Sequence, residues 1–237
     1  MAAPAELPAA KPVKRPKRYG CLTMGLVAIA IFLITGWLYV SLVPPTGSIR
    51  HAKACATMEY TRAIASCLHQ YAIDHNGRYP TGKSSTEIFQ KLFDEGYVFD
   101  PSIFVGGYPR SGKVALTDPA QKLKPENVGF DVTIPIDASS SSDLPVVFLT
   151  GYRITYAPGA NAVPLFPDMK DRNPCIAVAY LNGLCTYMQR GFFPRPNFAC
   201  HNDDVFPDGT VRNFIPSTFN PAGKKYQQLT PDGPLSP

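Results

Sequence analysis

Residues 21–43 read CLTMGLVAIAIFLITGWLYVSLV, a run of 23 positions without one charged side chain. A bilayer core needs about 20 apolar residues in a helix, so this run predicts a transmembrane helix. Trp37 and Tyr39 sit near one end, where amphipathic rings favour a membrane interface. A cleaved secretory signal is the alternative. Its apolar region is shorter, and Ala54-Cys55-Ala56, the nearest small-residue cleavage pattern, comes well past the run. Lys11, Lys14, Arg15, Lys17 and Arg18 precede the run with only Glu6 against them, so residues 1–20 carry +4 of the chain's net +5. Basic residues on one flank place that flank in the cytoplasm and the remainder of the chain outside it.

The rest of the chain is close to neutral, which excludes the basic face that nucleic-acid binding requires. A content of 45% hydrophobic residues, with 12 Tyr and 14 Phe, is enough for a packed core. After Pro44-Pro45 the pattern becomes amphipathic. Ala56, Tyr60, Ala63, Ile64, Cys67, Leu68 and Tyr71 recur at steps of three and four, predicting a helix over 48–75 with one apolar stripe. Tyr60, Ile64, Leu68 and Tyr71 are its candidate packing residues. His75-Asn76-Gly77 marks its end. Ser84-Ser85-Thr86-Glu87 opens a second, short helix through a capping box.

Residues 106–145, rich in Gly, Pro and Ser, are expected to be loop with one short strand around 128–134, and further strands are expected at 145–149, 152–156 and 176–181 and after Asn182-Gly183. Asn182-Gly183 between two apolar runs predicts a two-residue hairpin turn with both residues at positive φ, which would set Cys185 opposite Tyr180. Residues 191–237 are rich in proline and lack periodicity, so an irregular tail is expected there.

Six cysteines show no CxxC spacing. Cys55 and Cys67, on one helix about 18 Å apart, cannot bridge each other. Cys175, Cys185 and Cys200 are the disulfide candidates, with Cys200 the expected partner for one of the other two. Asp203, Asp204 and Asp208 form an acidic cluster of oxygens that calcium can use, but a plain solvated turn is the expected reading; no other cofactor is indicated. The histidines show no paired metal spacing and no nucleophile elbow is present, so the chain is not expected to be an enzyme.

Taken together, a basic leader, an apolar helix, an amphipathic stem and a late antiparallel sheet resemble the type IV pilins and the type II secretion pseudopilins. Lys17-Arg18-Tyr19-Gly20 before Cys21-Leu22-Thr23-Met24-Gly25 is similar to the prepilin junction, with Gly20 and Cys21 at the processing point. Cys21 stands where those proteins usually have Phe, and Gly25 where they have an acidic residue. Leu68 through Pro80, ending Gly77-Arg78-Tyr79-Pro80, resembles the end of the pseudopilin stem helix. Tyr180-Leu181-Asn182-Gly183-Leu184 is loosely similar to a glycine turn in their sheet.

The resemblance implies an α+β fold. A long N-terminal transmembrane-plus-amphipathic helix would pack on a small antiparallel sheet, with a pilin-like domain over 44–190 and a tail over 191–237. It also implies a single-pass protein of the bacterial inner membrane, with its domain in the periplasm. Its partners would be membrane lipid, other pilin-like subunits or secretion machinery bound through the N-terminal helix, and a prepilin peptidase. A membrane-tethered periplasmic binding or scaffold domain that forms no filament is the alternative.

Overall fold

The computed structural model describes residues 29–35, 46–106, 113–118, 120–137, 139–165, 175–189, 205–206 and 208–235. The chain divides into two compact units, Met1–Ser48 and Ile49–Pro237. In the first, the described part of helix α1 covers residues 29–35, with Ile29, Ile31, Phe32, Leu33 and Ile34 all exposed.

The expected transmembrane helix is corrected here. No helix among the described residues is long and apolar enough to cross a membrane. The next helix, α2 (Thr46–Asp74), is long but carries Arg50, His51, Lys53, Glu59 and Arg62 along its length. Residues 21–28 and 36–43 of the apolar run lie outside the described residues.

Helix α2 buries Ala54, Thr57, Thr61, Ile64, Leu68 and Ala72, a stripe at steps of three and four. Its upper half is lined by small residues. Thr57 and Thr61 donate their hydroxyls to the carbonyls four residues back, Lys53 and Thr57, so no polar group is stranded under the helix. Lys53, Glu59, Arg62, Ser66, His69 and Gln70 lie on the exposed side. The helix stops because Asn76 enters the left-handed region (φ 55°) and the Gly77 amide reaches back to the Ala72 carbonyl at 2.7 Å.

Helix α3 (Ser85–Asp94) starts at Ser84, whose hydroxyl accepts the Glu87 amide at 3.2 Å. The Glu87 carboxylate returns to the Lys83 amide at 2.7 Å. Ile88, Phe89 and Leu92 are its buried face. Two hydroxyls tie its first turn to distant chain: Ser85 donates to the Phe130 carbonyl and Thr86 to the Pro231 carbonyl. A 3₁₀ turn, Pro101–Phe104, follows and stacks Phe104 on Phe89 at 4.8 Å.

Eight strands follow among the described residues: β1 (Phe130–Ile134), β2 (Pro145–Leu149), β3 (Tyr152–Ile154), β4 (Ala162–Pro164), β5 (Cys175–Tyr180), β6 (Cys185–Gln189), β7 (Gln227–Thr230) and β8 (Gly233–Pro234). Six form one antiparallel sheet in the order β6-β5-β2-β1-β7-β8, and β3 with β4 form a separate hairpin. The irregular tail expected over 191–237 is therefore also corrected. Gln227–Thr230 pairs with β1, placing Leu229, Gln228 and Gln227 opposite Val132, Thr133 and Ile134. A four-residue strand reading Gln-Gln-Leu-Thr has no apolar run to announce it; pairing with β1 is what makes it a strand.

The described residues of β1, β2, β5 and β6 are almost all buried, so both faces of the sheet are covered. One face carries Phe130, Val132, Val147 and Leu149 toward the helical side, where Gly106 meets the Phe130 ring and Leu149. The other carries Asp131, Thr133 and Phe148 by the alternation of a strand. That face is covered by the β3–β4 hairpin and by residues 211–226, with Phe214 edge-on to Phe148 at 5.6 Å. Asp137, in the loop after β1, forms an ion pair with Lys224 of this C-terminal cover.

The Asp137 carboxyl is held down at about 2 by hydrogen bonds from Lys224 and Ser139. A depressed carboxylate contributes stability above its unfolded value near 4, and that stability is lost as pH falls from about 4 toward 2. Half-exposure makes the effect small. Thermal unfolding of Lys224→Ala should therefore converge with wild type near pH 2 and fall slightly below it at pH 6.

The hairpin between β5 and β6 differs from the expected one. Leu181, Asn182 and Gly183 form a three-residue loop in which only Gly183 has positive φ, at 82°. The Gly183 amide donates to the Tyr180 carbonyl, and the Tyr180 amide to the Leu184 carbonyl. A type I turn closed by a left-handed glycine uses one residue more than the two-residue turn. Cys185 consequently pairs with Ala179 rather than Tyr180. Nothing lies within 4 Å of a Cβ added at Gly183. Gly183→Ala should then cost only the conformational term, about 1 kcal/mol in chemical denaturation.

Candidate functional site

Of the expected packing residues on α2, Ile64 and Leu68 are fully buried, while Tyr60 and Tyr71 are half-buried against the same core. The stripe is thus satisfied within the chain's own domain. Asn182 and Gly183 are exposed at the hairpin tip. Cys185 is buried with a free thiol that donates to the Met58 carbonyl at 3.4 Å, which joins β6 to α2. Desolvation pushes that thiol up to about 11, with Arg62 opposing and Glu59 adding. A disulfide at Cys185 is accordingly absent.

Cys175 pairs with Gln189, at the far end of the hairpin from Cys185. Gly20, Cys21, Cys200, Asp203 and Asp204 lie outside the described residues. Asp208 is exposed and accepts the Thr210 amide at 2.9 Å. Among the described residues no group of three or more His, Cys, Asp and Glu side chains could hold a metal ion.

Two polar clusters emerge that the sequence did not announce. The first lies on the covered face of the sheet. Gln228 of β7 donates its amide to Asp131 Oδ2 at 2.6 Å and to the Tyr152 carbonyl at 2.6 Å. Its Oε1 accepts the Ile154 amide at 3.1 Å. One carboxamide therefore joins β1, β3 and β7. Beside it, the Thr133 hydroxyl meets the Tyr156 hydroxyl at 2.8 Å. Desolvation raises the Tyr156 phenol, against the pull of Thr133. This cluster was hidden because the partners come from far along the chain: Gln228, about 100 residues after Asp131, reaches it only once β7 lies beside β1.

The second cluster closes the end of α2. Tyr71 stacks on His75 with centroids 3.9 Å apart and planes 6° apart. Tyr97, beyond α3, leans on Tyr71 at 5.4 Å and donates its hydroxyl to Asp74 at 3.0 Å. Its carbonyl accepts the Cys67 thiol at 3.2 Å. Glu95 lies 3.5 Å from His75 Nε2. The Tyr97 phenol is pushed up to about 12, first by desolvation and then by the Asp74 hydrogen bond and the charges of Asp74 and Glu95. Desolvation and Glu95 likewise raise Tyr71. His69 makes a separate contact, Nδ1 to the Tyr79 hydroxyl at 3.2 Å.

Chemically, neither cluster offers an activated nucleophile. The first fastens three strands through one side chain. The second clasps the stem helix to the segment after α3. No protein-family model matches the chain, and no match is found among known proteins or solved structures.

Proposed function

We propose that the chain is a non-catalytic structural subunit of the pilin-like kind, working in a secretion pseudopilus or related filament. The observation that carries this reading is α2: a 29-residue helix whose buried stripe joins the same core as the antiparallel sheet, with its C-terminal end clasped by aromatic and charged side chains. A helix held this firmly to a covered sheet suits a part that bears load rather than one that turns over substrate. The junction-like residues Gly20 and Cys21 and the Gly77-Arg78-Tyr79-Pro80 turn support it from the sequence. The reading places the protein at a bacterial inner membrane, with its leader in the cytoplasm and its sheet domain in the periplasm. Its partners are other subunits or secretion machinery met through the N-terminal segment.

A second reading, a tethered scaffold or binding domain that forms no filament, is favoured by two observations. The outer side of α2 is polar, with Glu59 and Arg62 paired at 3.0 Å, and Gly25 removes the acidic residue used in filament register. Intact mass and terminal sequencing of the protein from its native host distinguish the two. The filament reading expects a mature chain starting at Cys21. It also expects a crosslinked ladder from a cysteine placed at Ser66. A chain that keeps its leader and crosslinks to no copy of itself leaves the scaffold reading.

A further inference from the structure

Asparagine followed by glycine occurs at Asn76-Gly77, where α2 ends, and at Asn182-Gly183, between β5 and β6. The pair has a chemistry of its own. The glycine nitrogen can attack the asparagine Cγ, because no side chain on the glycine crowds the closing ring. A C–N bond forms, and the carboxamide nitrogen leaves as ammonia, taking up the proton that the glycine nitrogen gives up. The cyclic imide then adds water at either carbonyl and opens to aspartate or isoaspartate.

Most of what governs this reaction is alike at the two sites. Both asparagines are exposed. Gly77 and Gly183 have φ of 80° and 82°, and a Cβ built on either meets nothing within 4 Å. Both attacking nitrogens are engaged in a turn. Gly77 donates to the Ala72 carbonyl at 2.7 Å and Gly183 to the Tyr180 carbonyl at 3.0 Å. Each must be released by a local opening before it can attack.

The carboxamides differ. Asn182 Oδ1 accepts the Leu184 amide at 2.8 Å, and Asn182 Nδ2 donates to Asp143 Oδ1 at 3.4 Å. The Asn182 amide also donates to the Ser142 carbonyl at 2.8 Å. Its Cγ is therefore held from both polar ends, on a backbone tied to the loop before β2. Asn76 has no such hold: among the described residues its carboxamide makes no hydrogen bond, and Gly77 and Arg78 after it are exposed.

We infer that Asn76 is a site of spontaneous deamidation, through an imide closed by the Gly77 nitrogen, and that Asn182 is protected from the same reaction by its hydrogen bonds. The products bear on the stem helix. Aspartate at 76 sets a carboxylate beside Asp74 at the negative end of the α2 dipole. Isoaspartate lengthens the main chain by a methylene inside the cap, which pulls the Gly77 amide away from Ala72. Either product loosens the stop of α2.

The test incubates the full chain in mildly alkaline buffer, once folded and once in denaturant, and follows both asparagines by peptide mapping that separates aspartate from isoaspartate. Giving up one ordinary hydrogen bond before attack slows a step by about fivefold, so in the folded protein Asn76 should convert at least about fivefold faster than Asn182. In denaturant the two rates should draw together, since the dipeptide is the same. Comparable rates in the folded protein overturn the inference, as do faster conversion of Asn182 or no conversion at Asn76. A ratio that survives denaturation also overturns it, because neighbouring residues rather than the folded contacts would then set the difference.

Discussion

Replacing Gln228 with alanine should destabilise the fold by about 4 kcal/mol, read as a fall in the denaturant midpoint. The size follows from what is left behind. The side chain satisfies a carboxylate oxygen of Asp131, the Tyr152 carbonyl and the Ile154 amide, and both Gln228 and Asp131 are buried. A new alanine supplies none of these bonds, and each group abandoned out of reach of water costs about 1–3 kcal/mol. Gln228→Glu should be worse still, since it sets a second carboxylate against Asp131 at 2.6 Å spacing. Gln227→Ala, one residue earlier and exposed, should fall within about 0.5 kcal/mol of wild type. If Gln228→Ala also stays within that margin, the carboxamide is not what fastens the three strands.

A second large effect is expected at Gly129, just ahead of β1. A Cβ there would lie 2.4 Å from the Val105 carbonyl oxygen, a backbone atom with no freedom to swing away. The closeness has a cause: the Gly129 amide donates to the Phe104 carbonyl at 2.7 Å, drawing β1 against the 3₁₀ turn. Gly129→Ala should cost about 3 kcal/mol, because the turn must retreat and the Phe89–Phe104 stack retreats with it. Gly96→Ala is the comparison. It too is a glycine in a connection, but its added methyl meets nothing within 4 Å. Its φ of 79° leaves only the smaller, conformational cost, about 1 kcal/mol. A near-equal loss at the two sites would mean that packing at Gly129 is looser than its geometry requires.

Legibility in the sequence tracked the range of the interactions. The end of α2 is written in three adjacent residues, His75-Asn76-Gly77, and the start of α3 in Ser84 and Glu87, because capping is local chemistry. The apolar runs of β2 and β5 could be read for the same reason. The turn at Asn182-Gly183 was only half readable. The dipeptide permits two loop lengths, and β5 and β6 pair in the register of the longer one, with Ala179 opposite Cys185.

What escaped reading depends on partners far along the chain. Asp131 and Thr133 look like the wet positions of a half-exposed strand until residues 211–228 cover them. Gln228 looks like part of a tail until β1 is beside it. The apolar run at 21–43 showed the opposite limit: hydropathy predicted a spanning helix, whereas no helix among the described residues is long and apolar enough to cross a membrane. Of the candidate site, Tyr71 was readable from its place on the stripe. His75, Glu95 and Tyr97 were not, because they meet only after the chain turns back through α3.

The placement of β7 has a bearing on how the molecule is made. Its partner β1 is complete by Ile134, yet the edge of β1 and the polar groups behind it wait for Gln227–Thr230. During synthesis almost a hundred residues must emerge from the ribosome between the two. For that interval the sheet exists at most as an unfinished edge, with Asp131 and Phe148 open to water or to another chain. A factor that holds the nascent polypeptide, or a translocation step that threads it while still loose, would meet it in this state.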